Sequence, residues 1–211
     1  MLLAHDVGRS RDRSTVVTGG TGPLAPELIA IKEFEELPLG LCGSARVDTL
    51  ALRDQHYSHK SIIIADLSND ETYGELLAER FGERAIGLHI TRHGDGMSFE
   101  WRVMKNGKIL VYTIGRTFLL DLLHQQMQNG RVRILDGPTS VRAYDQLARL
   151  EMEIRESGIV YRCLPGQHDD LAISCAMLVW AARHPHLSRW CWPLEPVVRT
   201  RRPAPSAAGY T

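Results

Sequence analysis

Two short apolar runs constrain the fold more than any other feature of the chain. They are KSIIIAD at 60–66 and AIGLHIT at 85–91, and the helical pattern DETYGELLAERFG at 70–82 lies between them. Strands that are apolar at nearly every position are typical of parallel sheets, because helices cover both faces of such sheets. The alternation of strand and helix therefore predicts an α/β fold with a parallel sheet.

The segments on either side predict an antiparallel addition to this sheet. The first 36 residues have the pattern of three short strands, MLLAHD, STVVTGG and LIAIKEF, with a turn at Gly19, Gly20, Gly22 and Pro23. Residues 44–57 predict a helix capped by Ser44. Residues 97–113 alternate on both sides of Asn106-Gly107, which is a favoured hairpin turn.

The second half of the chain carries three helical patterns and two short strands. The helices are RTFLLDLLHQQMQNG, a long helix at 139–158 and the apolar stretch DDLAISCAMLVWAA, with strands RVRIL and IVYRCL between them. Together the patterns predict a mixed sheet flanked by helices. It starts with three antiparallel strands, continues with parallel strands and carries an inserted β-hairpin.

Composition limits the class of protein. The chain has 211 residues, 44% of them hydrophobic, and 25 basic residues balance 25 acidic ones. This is enough material for one soluble domain, and the neutral balance excludes attraction to nucleic acid or membrane by net charge alone. We expect a domain at 1–192 and a poorly ordered tail at 193–211, where Pro, Arg, Ala and Ser dominate.

Several absences favour a cytoplasmic protein without a membrane role. The N-terminal apolar run is too short for a signal peptide, and the longest apolar run, 171–182, is shorter than the roughly 20 residues that a membrane span needs. The four cysteines are scattered and form no CxxC pair, so we expect reduced thiols.

Acidic residues fall where such a sheet opens a cleft. Asp6 ends the first strand, Asp66 ends the central strand, and Asp169 and Asp170 begin the last helix. Each one taken alone is explained as a cap or turn former, as are Asp12 and Asp70. In open α/β sheets, however, strand ends and helix N-termini gather ligand groups, and converging carboxylates hold divalent cations.

Three segments together resemble a known family. HDVGRSRDRST, IIIADLSND and PGQHDDLAISCAMLVWAA are similar, in order and spacing, to the nuclease domain of phage terminase large subunits, a branch of the RNase H-like superfamily. The resemblance covers roughly residues 1–184. That family has an acidic residue on the first strand, another after the fourth strand and an Asp that opens the last helix, which here are Asp6, Asp66 and Asp169 or Asp170.

The resemblance implies an endonuclease that cleaves double-stranded DNA during genome packaging with two Mg²⁺ or Mn²⁺ ions. Asp6 would bridge both ions, Asp66 would hold one, and Asp169 or Asp170 the other. We favour Asp170, because it shares a helix face with Ile173 and Met177, whereas Asp169 would cap the helix or bind through water.

The implied partners are duplex DNA, a packaging ATPase, a small terminase subunit and a portal, in the cytoplasm of the host cell. Complete terminases carry a P-loop ATPase before the nuclease. The glycine-rich stretch TGGTGPLAP has no GK[ST], so it is not a P-loop. We therefore expect the motor to be a separate protein or a missing domain.

Other residues are weaker candidates. His168 precedes the acidic pair and either positions water behind the metal ligands or is an exposed loop residue. Basic residues that follow the first strand or lie on the hairpin could contact phosphates or could be ordinary solvated surface. They are Arg9, Arg11, Arg13, Lys105 and Lys108, and Arg116, Arg131, Arg133 and Arg142 could extend the track. The hairpin either covers the duplex or only extends the sheet.

Three alternatives remain open. A RuvC-type junction resolvase or an RNase H uses the same metal chemistry. A sugar kinase or actin-like ATPase is suggested by DVGRSRDRST, which also resembles a D-x-G phosphate loop, although the chain shows no second loop of that kind. A non-catalytic binding module could share the scaffold, but it would be free to lose the acids.

Overall fold

A computed structural model describes most of the chain. The described residues are 1–8, 13–22, 25–92, 97–105, 107–155, 158–163, 168–185 and 187. Several predictions concern residues outside these ranges: phosphate contacts by Arg9 and Arg11, a turn at Asn106, and a poorly ordered tail at 193–211.

The described residues form ten strands and five α-helices. The strands are β1 (Leu2–Asp6), β2 (Thr15–Gly22), β3 (Ala25–Glu36), β4 (Ile62–Asp66), β5 (Ala85–Thr91), β6 (Met97–Met104), β7 (Gly107–Gly115), β8 (Val132–Ile134), β9 (Glu151–Arg155) and β10 (Gly158–Arg162). The helices are α1 (Gly43–His56), α2 (Glu71–Phe81), α3 (Arg116–Gln128), α4 (Ser140–Ala148) and α5 (Asp170–Arg183).

Eight of these strands form one mixed sheet in the order β6-β7-β5-β4-β1-β2-β3-β8. β1, β2 and β3 pair antiparallel, whereas β1, β4, β5 and β7 run parallel to one another. β6 pairs antiparallel with β7 and so completes a hairpin at the edge. The predicted α/β fold, with its antiparallel start, parallel strands and inserted hairpin, is confirmed.

Helices cover both faces of this sheet and divide the core into two clusters. Leu3, Ile63 and Leu77 belong to the cluster beneath α1 and α2, while Leu2 and Ile64 belong to the cluster beneath α3 and α5. Alternate residues of β1 and β4 thus point to opposite faces, and both faces are buried. This is why positions 62–65 of β4 are all apolar.

Helix α5 is apolar on every side because it is covered on every side. All twelve residues from Leu171 to Ala182 are buried. The helix packs against β1 and β2 beneath it and against α3 and α4 beside it. Each large side chain removed from water here, such as Leu178, contributes about 2 kcal/mol of hydrophobic free energy. The N-terminus of α5 is thereby held over the ends of β1 and β4.

The long helix predicted at 139–158 is wrong. Helix α4 ends at Ala148, and residues 151–155 form β9, which pairs antiparallel with β10 in a separate two-stranded sheet. In EMEIR, Met152 and Ile154 alternate with charged residues, a period of two that fits a strand. The hydrophobic spacing of the preceding helix continued into this segment and concealed the change of period.

Two smaller predictions are also wrong. Gly19 and Gly20 do not form a turn, because β2 continues to Gly22. A Cβ on Gly19 would lie 2.5 Å from the carbonyl oxygen of Ala30, so the strands approach too closely there for a side chain. Ser44 is not the cap of α1, since Cys42 occupies the N-cap position. No helix within the described ranges is long and apolar enough to cross a membrane.

Candidate metal centre

Strand pairing brings two of the predicted acids to the same end of the sheet. β1 and β4 are parallel neighbours in the register Ala4↔Ile64 and His5↔Ala65, so Asp6 and Asp66 follow at the same level. Both lie at the carboxyl ends of their strands, where open α/β sheets place ligand sites. The two side chains are 60 residues apart in sequence and become neighbours through the sheet.

Hydrogen bonds attach the start of α5 to the carboxyl end of β1 and to the neighbouring start of β2. The backbone N–H of Asp6 donates to Ser174 Oγ at 3.2 Å, and Ser174 Oγ and Thr15 Oγ1 share a bond of 2.7 Å. Thr15 Oγ1 also donates to the carbonyl oxygen of Asp170 at 3.1 Å. β1, β2 and the first turn of α5 therefore form one connected unit, and Asp170 is fixed beside Asp6.

The four acids line a single cleft of about 240 Å³. Its other polar lining residues are Ser68, Asn69 and Arg116, and its apolar walls include Val7, Ile90 and Ile173. Both Asp169 and Asp170 reach the cleft. Only Asp170 belongs to the helix proper, because Asp169 is the N-cap residue, and so the rule that helical neighbours diverge does not separate them.

The acids disfavour one another's charge. Burial raises the pKa of Asp6 well above its ordinary value, and the nearby carboxylates of Asp66, Asp170 and Asp169 raise it further, while Arg116 opposes them. Burial also raises the pKa of Asp66, although hydrogen bonds from the Ser68 N–H at 2.9 Å and Oγ at 2.5 Å act in the other direction. A cation in the cleft would relieve this repulsion.

Arg116 supplies one positive charge inside the cleft. It begins α3, forms an ion pair with Asp169, and donates to the carbonyl oxygen of Tyr161 at 2.9 Å. Asp169 occupies the N-cap position of α5, but its side chain makes no cap hydrogen bond. Arg116 thus holds Asp169 toward the cleft, and it is not part of an exposed basic track.

The donor chemistry suits a hard cation. Carboxylate, hydroxyl and amide oxygens from Asp6, Asp66, Asp170, Ser68 and Asn69 converge on the cleft, and oxygen ligands are those that Mg²⁺ and Mn²⁺ prefer. Among the residues that the structure describes, no three acids, histidines or cysteines stand close enough to enclose one ion. An ion held here by one or two carboxylates would have to complete its coordination with water, as Mg²⁺ commonly does.

The other predicted residues lie at or beyond the rim. His168 is exposed, and its Nδ1 is 3.9 Å from a carboxylate oxygen of Asp170. Arg13 lies 3.9 Å from Glu36, outside the cleft lining, and Lys105 and Lys108 lie on the edge hairpin. The structure does not bring these basic residues to the cleft, and their contact with DNA stays a prediction. Asp70 caps α2, accepting from the Tyr73 N–H at 3.2 Å.

Sequence reasoning missed the cleft roles of Arg116, Ser68 and Asn69. Ser68 and Asn69 lie two and three residues after Asp66, at the end of β4, and Arg116 follows β7, which runs parallel to β5. The rule that located Asp6 and Asp66, that ligand groups follow parallel strands, applies to all three residues.

No family model matches the chain, and no curated protein matches its sequence. Solved structures do match. The large terminase nuclease of the thermophilic phage G20c superposes with a TM-score of 0.56 at 18% identity, over 84% of this chain and 79% of that one. The chain has the fold of a phage large terminase nuclease.

Two further structures extend this result. The terminase nuclease fold recurs in the Thermus phage P74-26 large terminase nuclease domain, with a TM-score of 0.51 at 15% identity, over 85% of this chain and 77% of that one. The G20c nuclease has also been solved with bound magnesium, with the same TM-score of 0.56. At these identities the likeness concerns the fold.

Proposed function

We propose that this chain is a divalent-metal-dependent endonuclease of the phage large terminase type, which cuts double-stranded DNA during genome packaging. The observation that carries the proposal is the convergence of Asp6, Asp66, Asp169 and Asp170 on one cleft, in a fold shared with such nucleases. A relative with that fold has been solved with magnesium and with cobalt.

Asp6, Asp66 and Asp170 would hold two Mg²⁺ or Mn²⁺ ions, with Asp6 between the other two. Two such ions, when bound, would activate a water and stabilise the leaving oxygen of a phosphodiester. Ser68 fixes the orientation of the Asp66 carboxylate through two hydrogen bonds. Arg116 keeps Asp169 at the cleft wall and compensates part of the negative charge before a substrate phosphate arrives.

The same proposal extends to partners and location. The substrate is duplex DNA, and a packaging ATPase, a small terminase subunit and a portal would act with this nuclease in the host cytoplasm. Because the chain has no net charge, we expect the isolated protein to bind DNA weakly and to depend on such a partner for targeting.

A plasmid assay tests this proposal. Supercoiled DNA is incubated with the protein in EDTA, Mg²⁺ or Mn²⁺, beside Asp66→Asn and the matched control Asp48→Asn, an exposed acid on α1. We expect nicked and linear products only with metal, and a rate more than about a hundredfold lower in Asp66→Asn alone, since changes behind metal ligands already cost 10–100-fold. Cutting that persists in EDTA or in Asp66→Asn contradicts the proposal.

The choice of substrate separates the alternatives. Parallel reactions contain a four-way junction and an RNA–DNA hybrid at equal concentration. Preference for linear duplex supports a terminase, whereas preference for the junction or the hybrid would assign the cleft to a resolvase or an RNase H.

A further inference from the structure

Strand β6 presents a row of large apolar side chains to solvent. Met97, Phe99, Trp101 and Val103 alternate along the strand, and they are 47%, 64%, 50% and 88% exposed. Alternation with period two places all four on one face of the sheet. The same face continues inward through Phe99 and Tyr112, whose ring centroids lie 5.6 Å apart, so the row is an exposed extension of the core.

The backbone of β6 is also open on its outer side. β6 ends the sheet order, and among the described strands only β7 pairs with it. Met104 faces Gly107 across a two-residue loop, so Met104 and every second residue before it direct their N–H and C=O groups toward β7. Met97, Phe99, Trp101 and Val103 therefore direct theirs outward.

Natural edge strands are usually protected from pairing. Lysines, prolines, bulges or inward-pointing charges commonly break the edge. Here the apolar row at positions 97, 99, 101 and 103 contains no charged residue, and the charged residues of the strand, Glu100 and Arg102, lie on its opposite face. Lys108 on β7 lies 4.8 Å from the Trp101 ring centroid, and Trp101 is still half exposed. The edge has the backbone groups, the apolar surface and the length to accept another strand.

We propose that a second copy of this chain docks on this edge, with β6 pairing antiparallel to β6 of the partner about a two-fold axis at Trp101. Each Phe99 then faces Val103 of the partner subunit, and the two Trp101 side chains meet at the axis. The result is one continuous sheet through both copies.

Charge complementarity selects this register. On the opposite face of β6, Glu100 and Arg102 lie two residues apart, with Arg102 Nε donating to Glu100 Oε1 at 2.7 Å. In a pairing centred on Trp101, each Glu100 lies directly opposite Arg102 of the partner subunit. These positions are non-hydrogen-bonded pairs, in which side chains approach most closely. The interface thus contains two opposite-charge pairs across the axis, which extend the ion pair that Glu100 and Arg102 already form within each copy.

The neighbouring registers are worse. A pairing centred on Glu100 sets that carboxylate against Glu100 of the partner subunit, which is repulsive. A pairing centred between Glu100 and Trp101 sets outward-facing backbone groups against groups that already bond to β7, so the ladder cannot form. A pairing centred on Arg102 sets two guanidinium groups together. Of the four, only the Trp101-centred register combines an intact ladder with attractive charges.

The dimer leaves both metal clefts accessible. The cleft lies at the carboxyl ends of β1 and β4, and three strands separate β6 from β1. A two-fold axis normal to the sheet reverses strand direction, so the two clefts open at opposite ends of the joined sheet. The proposal does not depend on the nuclease function. Measuring the mass of the protein in solution, as monomer or dimer, is enough to test it.

Sedimentation velocity of the full chain from about 1 to 200 μM gives the test. An interface of one strand pair and its side chains is small, so we expect a dimer with a dissociation constant on the order of micromolar. Val103→Lys puts a charge into the apolar row and should weaken the dimer at least about tenfold. Leu52→Lys on α1, 68% exposed in the monomer, is the matched control and should leave the dimer unchanged.

Charge exchange tests the register. Glu100→Arg or Arg102→Glu alone turns two attractive pairs into repulsive ones and should weaken association about tenfold each. The double variant exchanges both signs, restores the pairs and should recover wild-type association to within about threefold. Every single variant is checked for an unchanged monomer melting temperature, so that lost association is not lost folding.

Three outcomes overturn the proposal. The first is a full chain that stays monomeric at 200 μM, which is also the result expected if the chain's own residues after 187 cover this face. The second is a dimer that is insensitive to Val103→Lys. The third is a double charge variant that associates no better than the single variants, which would refute the Trp101-centred register.

Discussion

Replacing Asp6 with asparagine should change how stability depends on pH. Burial and the nearby carboxylates raise the pKa of Asp6 well above its ordinary value. Between the ordinary and the folded pKa, the folded protein keeps a proton that the unfolded chain has released. Raising the pH through that window therefore costs about 1.4 kcal/mol of unfolding free energy per pH unit, and the loss is complete above the folded pKa.

The amide of the Asp6→Asn variant cannot titrate, so the variant escapes this loss. The difference in unfolding free energy, Asp6→Asn minus wild type, should grow by about 1.4 kcal/mol per pH unit through the window and then level off. His5 titrates in the opposite sense, because its pKa is lowered to about 4, but it is present in both proteins and cancels in the difference. The plateau marks the folded pKa of Asp6.

Urea denaturation in EDTA between pH 4 and 8.5 measures this difference. A parallel series in Mg²⁺ should stabilise the wild type by about 2.7 kcal/mol when the free ion is a hundred times its dissociation constant, and the variant much less. Asp48→Asn controls for removal of one exposed carboxylate. A difference that is flat with pH, or that falls as pH rises, would refute the idea that mutual repulsion of buried acids weakens the metal-free fold.

Two further predictions concern the strands around the cleft. Gly19→Ala should destabilise the protein by about 3 kcal/mol in urea denaturation, because its Cβ would meet a backbone carbonyl that cannot rotate away, whereas Gly22→Ala, with open space around it, should change stability little. His5 should stay neutral down to about pH 4 in an NMR titration, because burial lowers its pKa to about 4. The unfolded chain gains this proton earlier, so the unfolding free energy should fall by about 3 kcal/mol as the pH falls from 6.5 to 4. An imidazole that titrates near pH 6.5 would contradict its burial.

Much of the fold and of the candidate site was predictable from local patterns. Two segments are buried on all sides: the apolar β-branched run that ends at Asp66 and the helix that begins at Asp170. Their apolar composition is sufficient to predict this burial. The relation between Asp6 and Asp66 then followed from the rule that ligand groups collect at strand ends.

The remainder depended on contacts that a linear pattern does not contain. Residues 151–155 form a strand because β10 folds back on them, although the spacing of the preceding segment predicted helix. The ion pair of Arg116 with Asp169 joins α3 to the start of α5, and the sequence around either residue does not predict it. The sequence shows the charge of a side chain and the hydrophobic period of a strand directly. Which side chain or strand it pairs with depends on the tertiary fold.

The cleft draws its acids from residue 6 and from residue 170, so most of the chain between them must be synthesised before the cleft can assemble. A ribosome must have released α5 before Asp170, Ser174 and Thr15 can close the network behind Asp6. Shorter nascent chains contain Asp6 and Asp66 but lack α5, the helix that contributes Asp170 to the cleft. A nascent chain therefore assembles the complete cleft only after α5 has left the ribosome.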